Sequence, residues 1–396
     1  MLYFDQMKTN PLFGLVCTGG GAHGAYQAGA LKFIHEKFSN GSQSPFQIFA
    51  GSSCGALNTT FYAAESCDAF KKRLRLEELW MGFHVPSYYG SILKNVLKAL
   101  YAQWRAERQH FNRSWSILDP GPMQKIIEEG FKRESLEKSL AAKSTHGLAI
   151  AATELLSGRA CWFQEGPAAT AWNLFHSQGM LDKLDKQHLT ASCSVPIFLP
   201  PVKIGDHYYL DGSVSLSKPL SAAVIMGASR ILTIATDKPL PAALPNYRPG
   251  FLPRLSSVVG MLLNRLSHDA AREEAVEIEA FNRFHRALSR RERKEKKDAR
   301  PQPLFHEESR PGHYNPIEVF LLYPSKRIRT VTGRMDENGQ TGRRGTRFMF
   351  HENFIREMID LGYEDAKSRY GDLKKFFQPE TTRSRRWPFL KRRNAA

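Results

Sequence analysis

Short, continuous runs of apolar residues recur along the chain and alternate with segments of helical spacing. The five clearest runs have the length of strands and cover residues 15–18, 46–50, 148–153, 231–236 and 318–323. Runs without polar alternation are typical of parallel strands that are buried on both faces. Helical patterns lie between them, notably at 22–38 and 55–64, and another follows the last run at 348–370. The alternation predicts an α/β fold with a sheet covered by helices on both sides.

Two long helical segments interrupt this alternation. Residues 71–139 are rich in Trp and Tyr, which favours the core of a helical insertion over a lid above an apolar substrate site. Residues 255–300 combine apolar spacing with dense positive charge. Residues 202–210 predict a hairpin around a Gly-Asp turn, and 301–315 predict a loop. We expect one domain over residues 12–376 and a basic, disordered tail at 377–396.

Composition indicates the cellular compartment and whether the chain is expected to span a membrane. The 396 residues, 42% of them hydrophobic, can form a large core. The five cysteines are odd in number and lack metal-ligand spacing, so we expect a reducing, cytoplasmic environment without a disulfide framework. The sequence shows neither a signal peptide nor a run of about 20 apolar residues that could span a bilayer.

The positive charge predicts a polyanionic partner. The formal net charge is +17, and the excess is concentrated at 286–300 and 383–393. Both clusters lie outside the predicted core and no nucleic-acid-binding motif is evident, which favours an anionic membrane face over nucleic acid. In the second cluster Trp387, Phe389 and Leu390 stand among basic residues, as suits a lipid headgroup region. A solvated tail is the equal alternative.

A G-x-S-x-G pattern occurs at Gly51-Ser52-Ser53-Cys54-Gly55, between an apolar run and a run of small residues. A serine at such a strand-to-helix turn is held in a strained backbone and presented near a helix N-terminus. Glycines two residues to either side, Gly51 and Gly55, leave room for the tight turn. The pattern predicts Ser53 as a nucleophile, and a Gly/Ser loop is the alternative.

A glycine-rich segment, Gly19-Gly20-Gly21-Ala22-His23-Gly24, follows the first predicted strand and opens a helix. Consecutive glycines let backbone amides point into an anion-binding concavity, so the segment is a candidate oxyanion hole. The same residues satisfy the dinucleotide pattern G-x-G-x-x-G. That pattern also needs an acidic residue after the second strand, where the chain has small residues only, and no P-loop lysine is present.

The base that would accept the serine proton has several candidates. Asp211 lies at a predicted strand end before Gly212, where a close approach is sterically easy. His207 and His268 are the best-placed histidines, and the order Ser53, Asp211, His268 also fits an α/β-hydrolase triad.

Three ordered blocks resemble the patatin-like phospholipase family: CTGGGAHGAYQAGAL, FAGSSCGALN and ASCSVPIFLPPVKIGDHYYLDGS. The resemblance implies a three-layer α/β/α sandwich around a mainly parallel sheet and hydrolysis of a lipid acyl ester without metal or cofactor. It implies a Ser53–Asp211 dyad, with Gly212 in the Asp-Gly block. It also implies an oxyanion loop starting at Gly19, with donors from the amides of Gly20, Gly21 and Ala22.

The chain departs from the family pattern at three places. His23 stands where arginine is usual, Ser213 follows Asp211-Gly212, and Lys218-Pro219 replaces Asn-Pro. None of these positions is Ser53 or Asp211. The sequence therefore predicts a lipid acyl-ester hydrolase at the membrane periphery. The alternatives are a histidine-dependent α/β-hydrolase such as a thioesterase and a catalytically silent membrane-binding scaffold.

Overall fold

A computed structural model describes residues 11–39, 44–67, 75–82, 120–174, 176–196, 198–237, 270–298, 316–326 and 350–378. The predicted loop at 301–315, the basic cluster at 383–393 and most of the aromatic residues of the 71–139 insertion lie outside this part of the chain. His268 lies outside it as well.

Ten strands and ten α-helices are present in these residues. The strands are β1 Phe13–Cys17, β2 Ile48–Ser52, β3 Gly147–Glu154, β4 Ala160–Glu165, β5 Trp172–Asn173, β6 Ser177–Leu181, β7 Val202–Ile204, β8 His207–Asp211, β9 Arg230–Ile234 and β10 Glu318–Leu322. The helices are α1 Gly24–Phe38, α2 Cys54–Glu65, α3 Leu76–Gly82, α4 Gly121–Gly130, α5 Arg133–Ala141, α6 Lys186–Ser192, α7 Ser221–Ile225, α8 Ala270–Asp298, α9 Glu352–Ser368 and α10 Tyr370–Phe377.

The strands form one sheet in the order β10-β9-β1-β2-β3-β4-β6-β5, and β8 pairs with both β3 and β7. The five strands predicted from apolar runs (β10, β9, β1, β2 and β3) are consecutive in space and parallel. This confirms the prediction of a mainly parallel sheet. Beyond β3 the sheet continues through the antiparallel pairs β3–β4 and β5–β6, which the apolar pattern alone did not indicate, while β7 and β8 form the hairpin predicted at 202–210.

Helices cover both faces of the sheet. Alternate residues of each central strand face opposite ways: Leu15 packs in one core with α1, α2 and α9, while Val16 packs in a second core with α7 and α8. Both residues are at most 1% exposed. Because both sides of each strand are buried, most positions are apolar, which is why the runs show no alternation. The fold is a three-layer α/β/α sandwich.

The layer that contains α1 is unusually close-packed. A Cβ atom at Gly29 of α1 would lie 1.9 Å from the carbonyl oxygen of Ile359, and one at Gly362 of α9 would lie 1.9 Å from that of Tyr26. The two glycines therefore let the backbones of α1 and α9 touch. Trp80 of α3 is also buried here and is 2% exposed.

The carboxyl end of α10 belongs to the core. The ring of Phe377 stacks on Phe13 with centroids 5.5 Å apart and contacts Phe38 at 4.6 Å. The buried Arg230 donates from Nη1 to the carbonyl oxygens of Phe376 and Gln378. Residues 377 and 378, which the sequence places at the start of the tail, thus pack with the domain.

Candidate active site

The candidate residues collect at the end of the sheet where β1, β2 and β3 have their carboxyl ends. The glycine loop follows β1, and Ser53 follows β2 directly before α2. Carboxyl ends of parallel strands meet at one edge, so segments that are distant in sequence become neighbours there.

Ser53 occupies a strained turn. Its backbone has φ 53° and ψ −129°, a conformation that a residue with a Cβ rarely adopts and that costs about 1–3 kcal/mol. Its amide donates to the hydroxyl of Ser192 at 2.9 Å, which helps to hold the turn. The residue is 6% exposed and lies at the N-cap of the 12-residue helix α2, where unpaired amides give a positive end.

The glycines that flank the turn permit this conformation. A Cβ atom at Gly51 would lie 2.5 Å from the carbonyl oxygen of Gly55, and one at Gly55 would lie 2.1 Å from that of Cys17. Real Cβ atoms do not approach so closely. The absence of a side chain therefore lets α2 start directly against the end of β1.

The glycine loop is tied to the serine turn and to β9. The amide of Gly19 donates to the hydroxyl of Ser52 at 3.1 Å, and Thr236 donates to the carbonyl oxygen of Gly19 at 2.7 Å. A Cβ atom at Gly20 would lie 2.3 Å from Thr236 Oγ1. Gly21 has φ +59°, and residues Gly21–His23 then form a short 3₁₀ turn into α1.

The strand register brings Asp211 to the serine turn. Ser52 is paired with Ala151 of β3, and Asp211 is paired with the next residue, Ala152. β4 already occupies the other side of β3 at these positions, so β8 lies on the side of β2. Asp211 is thus one strand step, about 3.3 Å, further along β3 than Ser52.

Several bonds fix the backbone and side chain of Asp211, which is 3% exposed. Its amide donates to the carbonyl oxygen of Ser194 at 2.9 Å, and its Oδ1 accepts from the amide of Ser213 at 2.8 Å. A Cβ atom at Gly212 would lie 2.3 Å from the carbonyl oxygen of Ala151, so glycine is required beside β3.

Gly19 links the two candidate catalytic residues. A Cβ atom there would lie 3.1 Å from the Cβ of Ser53 and 2.1 Å from the hydroxyl of Ser213, two residues after Asp211. Near this point, burial and then the charge of Asp211 raise the pKa of the Cys193 thiol well above its ordinary value. The site is therefore enclosed, and Ser53 and Ser213 both lie against Gly19 in the glycine loop.

His23, the departure within the glycine loop, faces β9. It is 4% exposed, and its Nδ1 lies 3.4 Å from Oδ1 of Asp237, shortly after the end of β9. Its ring also lies 6.0 Å from that of Phe354 of α9. The histidine thus joins the loop to two neighbouring elements.

His207 lies away from this space. It begins β8, four extended residues or about 13 Å before Asp211, and its side chain is 62% exposed. Its Nδ1 lies 3.7 Å from Oε1 of Glu154. The geometry does not favour His207 as the partner of Ser53.

A buried polar network behind the loop was missed by sequence reasoning. Trp80 donates from Nε1 to Asn58 at 2.8 Å, and Asn58 donates to Gln27 and to the carbonyl oxygen of Gly24. Gln27 in turn donates to the carbonyl oxygens of Thr18 and Ile234. The only signal in the sequence was a pair of amide side chains within otherwise small and apolar helices.

Comparison with known proteins identifies the class. The sequence matches the patatin-like phospholipase family over residues 15–224, which is more than half of the chain. The protein therefore belongs to the patatin-like phospholipase family, and this membership supports lipid acyl hydrolysis as its class of activity. No curated protein matches the chain by sequence.

Solved structures that are similar to the chain include two of low sequence identity. VipD from Legionella pneumophila is 12% identical, with a TM-score of 0.33 over 91% of this chain and 67% of VipD. Human GIVD cytosolic phospholipase A2, in complex with a fluorophosphonate inhibitor, is 11% identical, with a TM-score of 0.40 over 93% of this chain and 59% of that one. The chain spans less than two thirds of the human enzyme, and neither likeness bears on its activity.

Within the described ranges, no helix is both long and apolar enough to cross a bilayer. The five cysteines are all free thiols.

Proposed function

We propose that the protein hydrolyses acyl esters of lipids with a Ser53–Asp211 dyad. The observation that carries the proposal is the register of β3, which pairs Ser52 and Asp211 with adjacent residues on the same side. This register supports a pairing of the hydroxyl at the strained turn with a buried carboxylate, next to a loop of backbone amides. These are the nucleophile, the base and the oxyanion donors that acyl transfer needs.

The chemistry follows from these positions. The carboxylate of Asp211 accepts the proton of the Ser53 hydroxyl as its oxygen attacks the ester carbonyl carbon. The amides of Gly20, Gly21 and Ala22 stabilise the resulting oxyanion, and the alkoxide leaves with the proton. Water then attacks the acyl-serine, with Asp211 again as base, and releases the fatty acid. Each lost oxyanion donor costs about 3 kcal/mol of transition-state stabilisation.

The substrate class follows from the family, since its members act on lipid esters. We propose a phospholipid, lysophospholipid or acylglycerol that is reached at a membrane surface. The basic cluster at 383–393 supports peripheral contact with anionic lipid, because each basic residue near such a surface contributes about 1 kcal/mol.

The test is hydrolysis of a panel of lipid and soluble esters by the wild type, Ser53→Ala and Asp211→Asn. Both variants should lose at least about a thousandfold in kcat. Ser66→Ala is the matched control, because it removes a buried hydroxyl from the far end of α2. Retained activity in folded Ser53→Ala protein would refute the mechanism.

Two further measurements separate the alternatives. A histidine-dependent hydrolase requires that His207→Ala or His268→Ala abolish turnover, whereas the dyad leaves it largely intact. A fluorophosphonate probe should label Ser53 in the wild type. A folded protein that is not labelled would instead be a silent scaffold with the same fold.

A further inference from the structure

Three hairpin turns project from the end of the sheet that carries Ser53. β3 runs parallel to β2, so its last residue, Glu154, lies at the same end of the sheet as Ser52. β4 and β6 both begin at this end, because Ala160 pairs with Thr153 and Ser177 pairs with Ala160. β8 runs against β3, so the β7–β8 turn lies there as well. The turns after β3, β5 and β7 therefore share one surface.

Four apolar side chains of these turns and their flanks are exposed, and we call them the hairpin patch. Their exposed fractions are 43% for Leu155, 91% for Leu156, 53% for Leu174 and 47% for Tyr208. The amide of Leu155 donates to the carbonyl oxygen of Tyr208 at 2.8 Å, which joins two of the turns. The patch crosses neighbouring strands β8, β3, β4, β6 and β5, a width of about 20 Å.

The exposure of these leucines is imposed by fixed turns. The buried carboxylate of Glu154 accepts from the amides of Leu156 and Ser157, at 3.2 and 2.6 Å. The guanidinium of Arg159 donates to the carbonyl oxygen of Leu174 at 2.7 Å and ties the next turn to it. Holding leucines outward does not help folding, and clustered exposed apolar groups indicate an interaction surface.

Charged residues of both signs lie beside the patch, and the whole chain carries a formal net charge of +17, which favours an anionic partner. Lys203 is exposed and pairs in register with Tyr208, and Arg159 lies between two of the turns. The charge of Glu154 faces His207 at 3.7 Å, and Asp206 is the acidic residue of the β7–β8 turn. Leu and Tyr side chains beside cations are typical of groups that enter the headgroup region of a bilayer.

We infer that the hairpin patch docks the protein on an anionic lipid surface and turns the Ser53 end of the sheet toward that surface. The inference rests on the proposed function in that the substrate is a lipid held in such a surface. Shallow insertion of the leucines anchors the molecule, and Lys203 adds attraction that depends on salt. The patch thereby orients the site, a role that a basic tail alone cannot perform.

The test measures vesicle binding by sedimentation in full-length protein with the Ser53→Ala substitution, so that no turnover is needed. Vesicles of phosphatidylcholine with one quarter phosphatidylglycerol are used at low salt and at about 0.5 M salt, where surface charges are screened. Leu156→Asp with Leu174→Asp should weaken binding at least about tenfold at both salt concentrations. Lys203→Glu should weaken it about fivefold or more, at low salt only.

Phe284→Asp is the matched control. Phe284 lies on α8 and is 59% exposed. Two residues earlier, Asn282 donates to the carbonyl oxygen of Ile317, directly before β10 begins. The start of β10 lies at the end of the sheet opposite Ser53. This variant should bind as its parent does. Because all the substituted residues are exposed, the melting temperature should not change, which excludes unfolding as the cause.

Three results would overturn the inference: a parent protein that does not bind vesicles, a double variant that binds as tightly as its parent, or a control that weakens as much. If light scattering shows that the double variant changes from dimer to monomer while its vesicle binding stays the same, the patch is a contact between copies of the chain. An inactive wild type whose vesicle binding still depends on the patch would refute the proposed function but not the docking surface.

Discussion

The amide of Gly19 donates a hydrogen bond of 3.1 Å to the hydroxyl of Ser52, the residue before the proposed nucleophile. This bond joins the glycine loop to the serine turn across two parallel strands. Under the proposed mechanism it gives Ser52 a positioning role, because the Ser53 hydroxyl must face the carbonyl carbon while the loop amides face the carbonyl oxygen of the same ester.

Removal of this bond should slow catalysis without weakening substrate binding. We expect Ser52→Ala to lower kcat about tenfold on a soluble ester while KM changes less than about twofold. Steady-state kinetics check this, with melting temperatures to monitor folding. A rise in KM at unchanged kcat would contradict the positioning role.

The glycine contact between α1 and α9 should not tolerate a methyl group. Gly29→Ala would place a Cβ atom 1.9 Å from the Ile359 carbonyl oxygen, and we expect a loss of about 2–3 kcal/mol in the free energy of unfolding. Gly371→Ala is the matched substitution, because a Cβ atom there meets nothing within 4 Å in helix α10. It should be neutral or stabilise by up to about 1 kcal/mol. Denaturant unfolding of both variants tests the pair.

Glu274 should make stability fall as pH rises. Burial raises the pKa of Glu274 to about 7. The hydrogen bond from the amide of Leu220 and the charge of Lys218 lower this pKa, but burial is the larger effect. Between pH 4.5 and 7 the unfolded chain releases this proton while the folded protein retains it. The free energy of unfolding therefore falls across this range and has lost the whole contribution above pH 7.

Glu274→Gln removes this penalty and keeps an acceptor for the Leu220 amide. The variant should gain about 2 kcal/mol relative to wild type between pH 5 and pH 8. Unfolding free energies at the two pH values measure the gain. If the variant and the wild type differ in unfolding free energy by the same amount at pH 5 and pH 8, the Glu274 carboxyl has the same pKa in the folded and unfolded states.

The end of the domain can be located by truncation. A chain ending at Gln378 should keep the wild-type melting temperature, because Arg230 retains both carbonyl acceptors. A chain ending at Lys375 loses the buried Phe376 and the partly buried Phe377, and it leaves the Arg230 charge buried with fewer partners. We expect it to lose about 5 kcal/mol or more, as calorimetry or denaturant unfolding would detect.

The chain ending at Gln378 also tests the basic tail. Vesicle binding by the chain ending at Gln378 should lose part of its dependence on salt if residues 383–393 contact lipid. Identical binding by the truncated and full-length chains would dismiss the tail as an anchor.

The sequence was most informative where burial is complete on both sides of a strand. β1, β2, β3, β9 and β10 lie in the apolar runs at 15–18, 46–50, 148–153, 231–236 and 318–323, with bounds shifted by a few residues. The hairpin of β7 and β8 was also confirmed. Because the glycine loop and the serine pattern directly follow two of these strands, their placement at one edge could be predicted.

Local pattern could not supply the contacts between remote segments. β5 has two residues, and β4 mixes apolar and polar residues, so neither gave a strand signal. The helix predicted at 348–370 is interrupted at Arg369, whose φ of −100° and ψ of 14° separate α9 from α10. The bond between Gly19 and Ser52, and the pairing of Asp211 beyond the end of β2, depend on register across the sheet.

Arg230 and the α1–α9 contact have a practical consequence for making the protein. A recombinant fragment trimmed to residues 15–224 would lack β9, which pairs with β1 beneath the glycine loop, and α9, which covers α1. Such a fragment would expose a broad apolar face and aggregate on expression. Purification tags are better fused after Gln378, so that the contacts of Phe377 and Gln378 with the domain are kept.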